Sequence, residues 1–310
     1  MGSKTITGYA HLKYTRAIKA NNLLKLGFQT QRFSYLAYSE NLNYNKVEPF
    51  VSLQVKNITK NKHQAQIGFK TSLVLLDYLY KGKQQEFYYV NHLSVKYDFN
   101  KTKDNFITQI DLKQGSNFVS LSGELNAIIN YPTKKYNAFY ARLFIGGFLY
   151  PDETLQAPDV EFLLTAKNRP YLGSGNSAYT QLQEDYNFRN FFLDRNSQDP
   201  FFSRQVGTNS DGGFKSLAKI GVINKYLAAL NLSSDIPIPI PIEPWANFAI
   251  IEVANKPEPT VEFGASLNLM DKFIQFHFPF ISTHNIAPTS FGENISFSLN
   301  LLKLDKLRKY

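Results

Sequence analysis

Apolar and polar residues alternate one for one along segment after segment of this chain, a pattern no helix can use. Ile6, Gly8, Ala10, Leu12 and Tyr14 interleave with Thr7, Tyr9, His11, Lys13 and Thr15. Ala65, Ile67, Phe69, Thr71 and Leu73 interleave with Gln64, Gln66, Gly68, Lys70 and Ser72. The rhythm returns with Phe87, Tyr89, Leu93, Val95, Tyr97 and Phe99 against Glu86, His92, Ser94, Lys96 and Asp98. It recurs at 119–131 and again at 261–269, where Val261, Phe263, Ala265, Leu267 and Leu269 stand against Glu262, Gly264, Ser266 and Asn268. Strand side chains point to opposite faces with period two, so each segment is read as a strand with one apolar and one polar face.

Turn-forming residues punctuate these runs at 59–62, 81–83, 100–104, 114–117, 131–135 and 255–259. The signals give roughly 14 strands, with ends uncertain by a few residues each. The runs are about 9 to 15 residues, against a usual five or six in water-soluble sheets and about 9 to 11 for a tilted strand crossing a bilayer. No apolar run reaches the roughly 18 residues of a membrane helix, so a closed barrel is the one structure with which this chain can span lipid. Aromatic residues near run ends (Tyr35, Tyr38, Tyr78, Tyr80, Tyr97, Phe99, Tyr131, Phe148, Tyr150) fit interfacial girdles. The expected fold is therefore all-β: a single antiparallel transmembrane β-barrel over residues 4–310, with outer-membrane lipid as its surroundings and the bacterial outer membrane as its location. A soluble sandwich or an internally packed barrel is the competing fold, since these also use strand aromatics.

The formal charge is +9, with a pI near 9.3. Lys and Arg are spread over the whole length instead of gathering on one arm, so nucleic acid is not an expected partner. There is no Cys, which removes disulfides, thiolate metal sites and a Cys nucleophile. Met1, Gly2 and Ser3 read as an expression leader, and the segment from Lys4 to Arg16 alternates and forms no secretory apolar core.

One region breaks the rhythm. Residues 168–214 form a long loop insertion containing Gly173-Ser174-Gly175-Asn176, the polar group Glu184, Asp185, Arg189, Asp194, Arg195, Asp199 and Arg204, and Asp211-Gly212-Gly213. By strand parity it is expected after the ninth strand, on the outer side, which leaves 38–47 and 151–160 as long inner connections. The polar group reads as a salt-bridged loop folded over or into the barrel mouth. Paired carboxylates for acid–base work are the sharper alternative. The alternating prolines of 237–244 read as a stiff connector between two strands.

The motifs offer no site of chemistry. His11, His63, His92, His277 and His284 form no H-E-x-x-H, and His277 is expected to point into a lumen from between Phe276 and Phe278. The glycine-rich stretches lack a following Gly-Lys-Ser/Thr, and no G-x-S-x-G elbow is present. The Asn-x-Ser/Thr sequons at Asn57, Asn231 and Asn294 mean little in a bacterial protein. No catalytic residue, cofactor or metal site is expected.

Ser174-Gly175-Asn176, Glu184-Asp185-Tyr186, Phe188-Arg189-Asn190, Asp211-Gly212-Gly213-Phe214-Lys215 and Asn224-Lys225-Tyr226-Leu227 occur in that order. Together with Phe278-Pro279-Phe280-Ile281 and the run Ile295 to Leu301, this half of the chain resembles the C-terminal region of Bacteroidota proteins of the aminopeptidase N-like zinc metallopeptidase family. The resemblance implies an outer-membrane barrel following a periplasmic peptidase-type domain. The family's zinc-binding H-E-x-x-H is absent here, so any peptidase activity belongs to a part outside this chain. Asp185, Arg189, Asp211 and Gly213 are then loop-fixing residues. The expected role is a non-catalytic anchoring or docking domain for a periplasmic peptidase-like domain or an envelope assembly. A porin-like or transporter channel ranks second and a lipid-modifying outer-membrane enzyme third. A loop packed inside the lumen separates the first from the second.

Overall fold

The computed structural model describes residues 4–18, 22–37, 40–58, 62–78, 84–101, 104–116, 118–131, 138–150, 162–165, 193, 201–216, 222–223, 225–236, 240–253, 256–283 and 294–300. The strands are β1 (Lys4–Ala17), β2 (Leu23–Ala37), β3 (Glu40–Ile58), β4 (Lys62–Tyr78), β5 (Gln84–Lys101), β6 (Asp104–Gly115), β7 (Val119–Asn130) and β8 (Ala138–Tyr150). They continue with β9 (Phe162–Leu163), β10 (Val222–Ile223), β11 (Tyr226–Ser234), β12 (Ile242–Val253), β13 (Lys256–Leu269), β14 (Ile274–Ser282) and β15 (Ser296–Leu299). Thirteen of them form one sheet in the linear order β1 to β8 and then β11 to β15, while β9 pairs with β10 apart from it. The ladders are antiparallel. Helix among the described residues is confined to 3-10 turns, Phe202–Arg204 and a single residue at Asn294. The chain is all-β, as the alternation requires; among the described residues the main sheet has thirteen strands, close to the roughly fourteen expected.

Three local expectations need correction. The segment 38–47 is not a long connection: β2 and β3 pair as far as Ala37↔Glu40, so residues 40–47 belong to β3. Its Asn-rich composition reads as loop because Asn favours turns, and only the pairing with β2 makes it strand. The main sheet is interrupted after its eighth strand, between Tyr150 and Tyr226, and not after its ninth. That removes the parity argument for an outer position of the insertion. The proline connector is shorter than expected, since Ile242, Glu243 and Pro244 already belong to β12. Pro244 lies where the ladder with β11 has ended, Ser233↔Trp245 being its last pair, a place where a missing N–H is tolerated. Met1–Ser3, Gly173–Asn176, Asp185, Arg189 and residues 151–160 lie outside the described residues.

Two compact units divide the chain. The first comprises Met1–Thr102, Ile107–Gly123 and Phe148–Val160, the second Lys103–Phe106, Glu124–Gly147 and Glu161–Tyr310. In the first, burial is inverted relative to a water-soluble protein. Lys46, Glu48, Ser52, Gln54 and Ser72 are buried, while Val47, Leu53, Val55, Ile67, Phe69 and Val95 stand exposed at the alternate positions. Glu48, at 4 % exposure, sits in a polar knot: Gln29 Nε2 and Ser72 Oγ donate to it at 2.7 and 2.6 Å, and the ammonium groups of Lys46 and Lys70 lie at 3.0 and 3.2 Å. A small apolar cluster of Val90 and Phe118, with Tyr88 and Phe148 against it, occupies the same unit. Phe148 is thereby turned inward and is no girdle residue. Tyr97 does stand exposed at the end of β5, its hydroxyl 2.6 Å from His63 Nδ1.

The second unit repeats the inversion in part, since Phe144, Leu227, Trp245 and Ile251 are also buried there. Glu243, Asn247, Glu262, Ser266, Asn268, His277, Ser296 and Ser298 are buried, while Leu143, Ile145, Leu230 and Ile250 are exposed. Tyr131, a second expected girdle residue, instead bonds its hydroxyl to Ser234 Oγ. Apolar area normally leaves water on folding, and a contiguous exposed apolar face marks a surface that meets something other than water.

Candidate functional site

The polar face of the second unit is occupied by a strap, residues 201–216, that crosses it without joining the sheet. Its start is fixed at β15: Gln205 bridges Phe297 in parallel, and Val206 N–H donates to the Phe297 carbonyl at 2.8 Å. Phe201 stacks on the Phe297 ring at 4.8 Å. The buried Gln205 accepts at its Oε1 from Leu193 N–H at 2.8 Å.

Further on, the Asp-Gly-Gly turn is held from four sides. Asp211 Oδ2 accepts from Leu163 N–H at 2.8 Å, and its carbonyl accepts from Arg142 Nη1 at 2.7 Å. Gly212 N–H and Phe214 N–H donate to the carbonyls of Leu163 and Leu164, and the Gly212 carbonyl accepts from Asn231 Nδ2 at 2.8 Å. Gly213 has φ +69°, and a Cβ there would stand 2.5 Å from Asn231 Oδ1. Both the left-handed backbone and the close approach demand glycine. Gly213→Ala is expected to cost about 2–3 kcal/mol from these two causes together, read as a lowered urea midpoint of the detergent-folded protein.

The end of the strap meets a carboxylate. Glu262 of β13, fully buried, accepts from two successive backbone groups, Lys215 N–H at 2.6 Å on Oε1 and Ser216 N–H at 3.0 Å on Oε2. Asn247 Nδ2 adds a third bond at 2.7 Å, and Asn247 Oδ1 accepts from Asn231 Nδ2 at 3.0 Å. Arg142 donates to Asn231 Oδ1 at 3.1 Å and to Glu124 at 2.8 Å. One continuous chain of hydrogen bonds therefore runs from β7 through β8, β11 and β12 to β13 and ties down the strap on the way. The Lys215 ammonium lies over the Trp245 ring at 5.1 Å, and Ser296 Oγ donates to the Lys215 carbonyl. Trp245 itself needs Gly264 opposite it, because a Cβ there would strike its ring at 2.4 Å.

A second knot lies at the turn between β13 and β14. Lys272 reaches Asp235 at 3.0 Å and Glu243 at 2.7 Å and lies over the Tyr140 ring at 4.5 Å. Burial is the largest single effect and works against its ammonium, but Glu243, Tyr140 and Asp235 together outweigh it, and the net pKa is raised above the ordinary lysine value. A raised lysine keeps its stabilising charge below the ordinary value and loses it only as pH climbs through the raised one, so this clamp holds through the whole neutral range.

Of the expected loop-fixing residues, Asp211 and Gly213 come together in this strap, whereas Asp185 and Arg189 lie outside the described residues. His277 is buried, with Ser266 Oγ 2.8 Å from Nδ1 and Ser298 Oγ 3.0 Å from Nε2. Both ring nitrogens are thus engaged within a closed hydroxyl clasp. Sequence reasoning does not single out Glu262, Arg142, Asn231 or Asn247. The available signal was Glu262 itself, a carboxylate on the polar face of a strand whose other polar-face residues are Gly264, Ser266 and Asn268.

No family model matches the chain, and no curated protein matches it. Among solved structures the fold is similar to CdiB from Acinetobacter baumannii, with TM-score 0.46 and 12 % sequence identity over 93 % of this chain and 48 % of that one. The chain thus spans about half the length of that protein.

Proposed function

We propose that this chain is an outer-membrane β-barrel domain that anchors or docks a larger envelope protein, with the strap lodged on the barrel's inner face. The observation that carries the membrane part is the inverted burial: carboxylates, amides and lysines buried, and Leu, Val, Ile and Phe exposed, at alternate positions of the same strands. Strands of 12 to 19 residues in β1 to β8 are long enough to cross lipid with a tilt. Among the described residues no helix is long and apolar enough to cross a membrane. The anchoring part is supported by the strap, because a segment bonded to the polar face through Glu262, Asn231 and Arg142 takes up space that an open pore requires. The docked partner is, on the sequence resemblance, a periplasmic peptidase-like domain.

A channel is the second reading, favoured by Lys13, Lys25, Lys56 and Lys96 on the polar face of the first unit, which have no carboxylate within ion-pair distance among the described residues and need water around them. Gel mobility of boiled and unboiled detergent extracts tests the membrane reading. The unboiled protein is expected to run faster and to require detergent for solubility. A monodisperse protein in plain buffer would sink it. Planar-bilayer recordings divide anchor from channel: a quiet membrane fits the anchor, and steady unitary conductance in the wild type overturns it.

A further inference from the structure

We propose that the polar face of β1 to β5 collects small multivalent oxyanions, of the phosphate and sulfate class. The inference rests on the membrane reading above to the extent that lipid covers the opposite face and leaves this one to water.

Strand pairing places four lysines in four successive rows of this face. Lys13 shares a row with Gly27, Phe50 and Lys70, and the next row holds Thr15, Lys25, Ser52 and Gly68. The following row holds Gln54, Gln66 and Lys96, and the one after it Lys56, Gln64 and Asp98. That this is the polar face follows from Ser52 and Gln54, both buried. Rows two residues apart repeat at about 6.6–6.8 Å, and strands at about 4.8 Å, so the lysines form one field. Between them stand hydroxyl and amide donors, the groups that complete the coordination of an oxyanion.

Two of the described carboxylates are paired, and Asp98, in the row of Lys56, holds only a neutral amide. Glu48 is taken by Lys46 and Lys70, Asp111 by His92 and Gln109, and Asp98 accepts from Asn100 at 2.7 Å. Among the described residues, the ammonium groups of Lys13, Lys25, Lys56 and Lys96 have no carboxylate within ion-pair distance. The second unit differs: Arg142 pairs with Glu124, Lys225 with Glu252, and Lys272 with Asp235 and Glu243. Cations on an inward face without partners hold anions from solution, and low-dielectric walls strengthen that field.

The test uses the full chain in detergent at low ionic strength, with hydroxypyrene trisulfonate as the probe and fluorescence anisotropy as the readout. The wild type is expected to bind it, to release it to inorganic phosphate or sulfate, and to ignore a pyrene trimethylammonium cation. Lys25→Gln, Lys56→Gln and Lys96→Gln combined are expected to weaken binding about tenfold, while Arg16→Gln with Lys256→Gln leaves it nearly unchanged. At high salt the difference vanishes. Equal binding by the triple variant, an equal loss in the control, or binding of the cationic probe overturns the proposal. Should the triple variant fail to show the heat-modifiable gel shift, the wild-type comparison of anionic and cationic probes decides. A wild type soluble without detergent sinks the membrane reading instead, whichever probe binds, so the two failures are distinguishable.

Discussion

Ile145→Arg is expected to destabilise the protein by about 2–4 kcal/mol in a bilayer, the cost of placing a cation at mid-membrane on the lipid side of a barrel strand. Ile145 lies near the middle of β8, faces away from the polar side and is 56 % exposed. In a water-soluble protein the same change at so open a position would move stability by no more than about 0.5 kcal/mol, and would aid solubility. The prediction therefore discriminates by size between lipid and water as the neighbour of this face. Urea unfolding of protein refolded into lipid vesicles measures it, with Val95→Arg on β5 as the counterpart in the first unit. Indifference at both positions would remove the physical basis of the membrane reading, whatever the strands look like.

Glu262→Ala is expected to cost about 3–5 kcal/mol, because it removes the acceptor of two backbone N–H groups and of the Asn247 amide at a fully buried position. The loss should be local in its first effect. The Lys215 and Ser216 amides should exchange with solvent far faster than in the wild type, and protease should cut within 201–216 while the sheet still shows its heat-modifiable shift. Glu262→Gln falls between, since its one carbonyl can accept but its amide group meets another donor. Unchanged exchange at Lys215 and Ser216 in the alanine variant would show that the strap is held by Asp211, Gln205 and the β15 bridge without help from Glu262. Released strap combined with new conductance steps would mean that the segment obstructs a pore.

Several features were legible in the sequence for clear reasons. Period-two alternation in Ala65 to Leu73 or Val261 to Leu269 can be satisfied only by a strand whose two faces differ, so β4 and β13 follow directly. The turn at 59–62 and the glycine-containing 81–83 separate the long runs where the ladders do turn. Asp211-Gly212-Gly213 was visible as punctuation, because glycine frees the backbone for a left-handed turn. Residues 40–47 misled, since their Asn content is that of a loop and only the pairing with β2 makes them strand.

The alternation could not say which of its two faces is buried, because it is symmetric: apolar-in and apolar-out give the same string of residues. Nor could it locate partners for the polar positions. Glu262 and Lys215 are 47 residues apart and Arg142 and Asp211 are 69 apart, distances over which no local pattern reports. The sequence by itself determined that the chain forms long, two-faced strands broken by one long insertion. Only the tertiary structure decided that the polar faces are the buried ones and that part of the insertion lies across them, since burial and long-range hydrogen bonds exist only once neighbouring strands have paired.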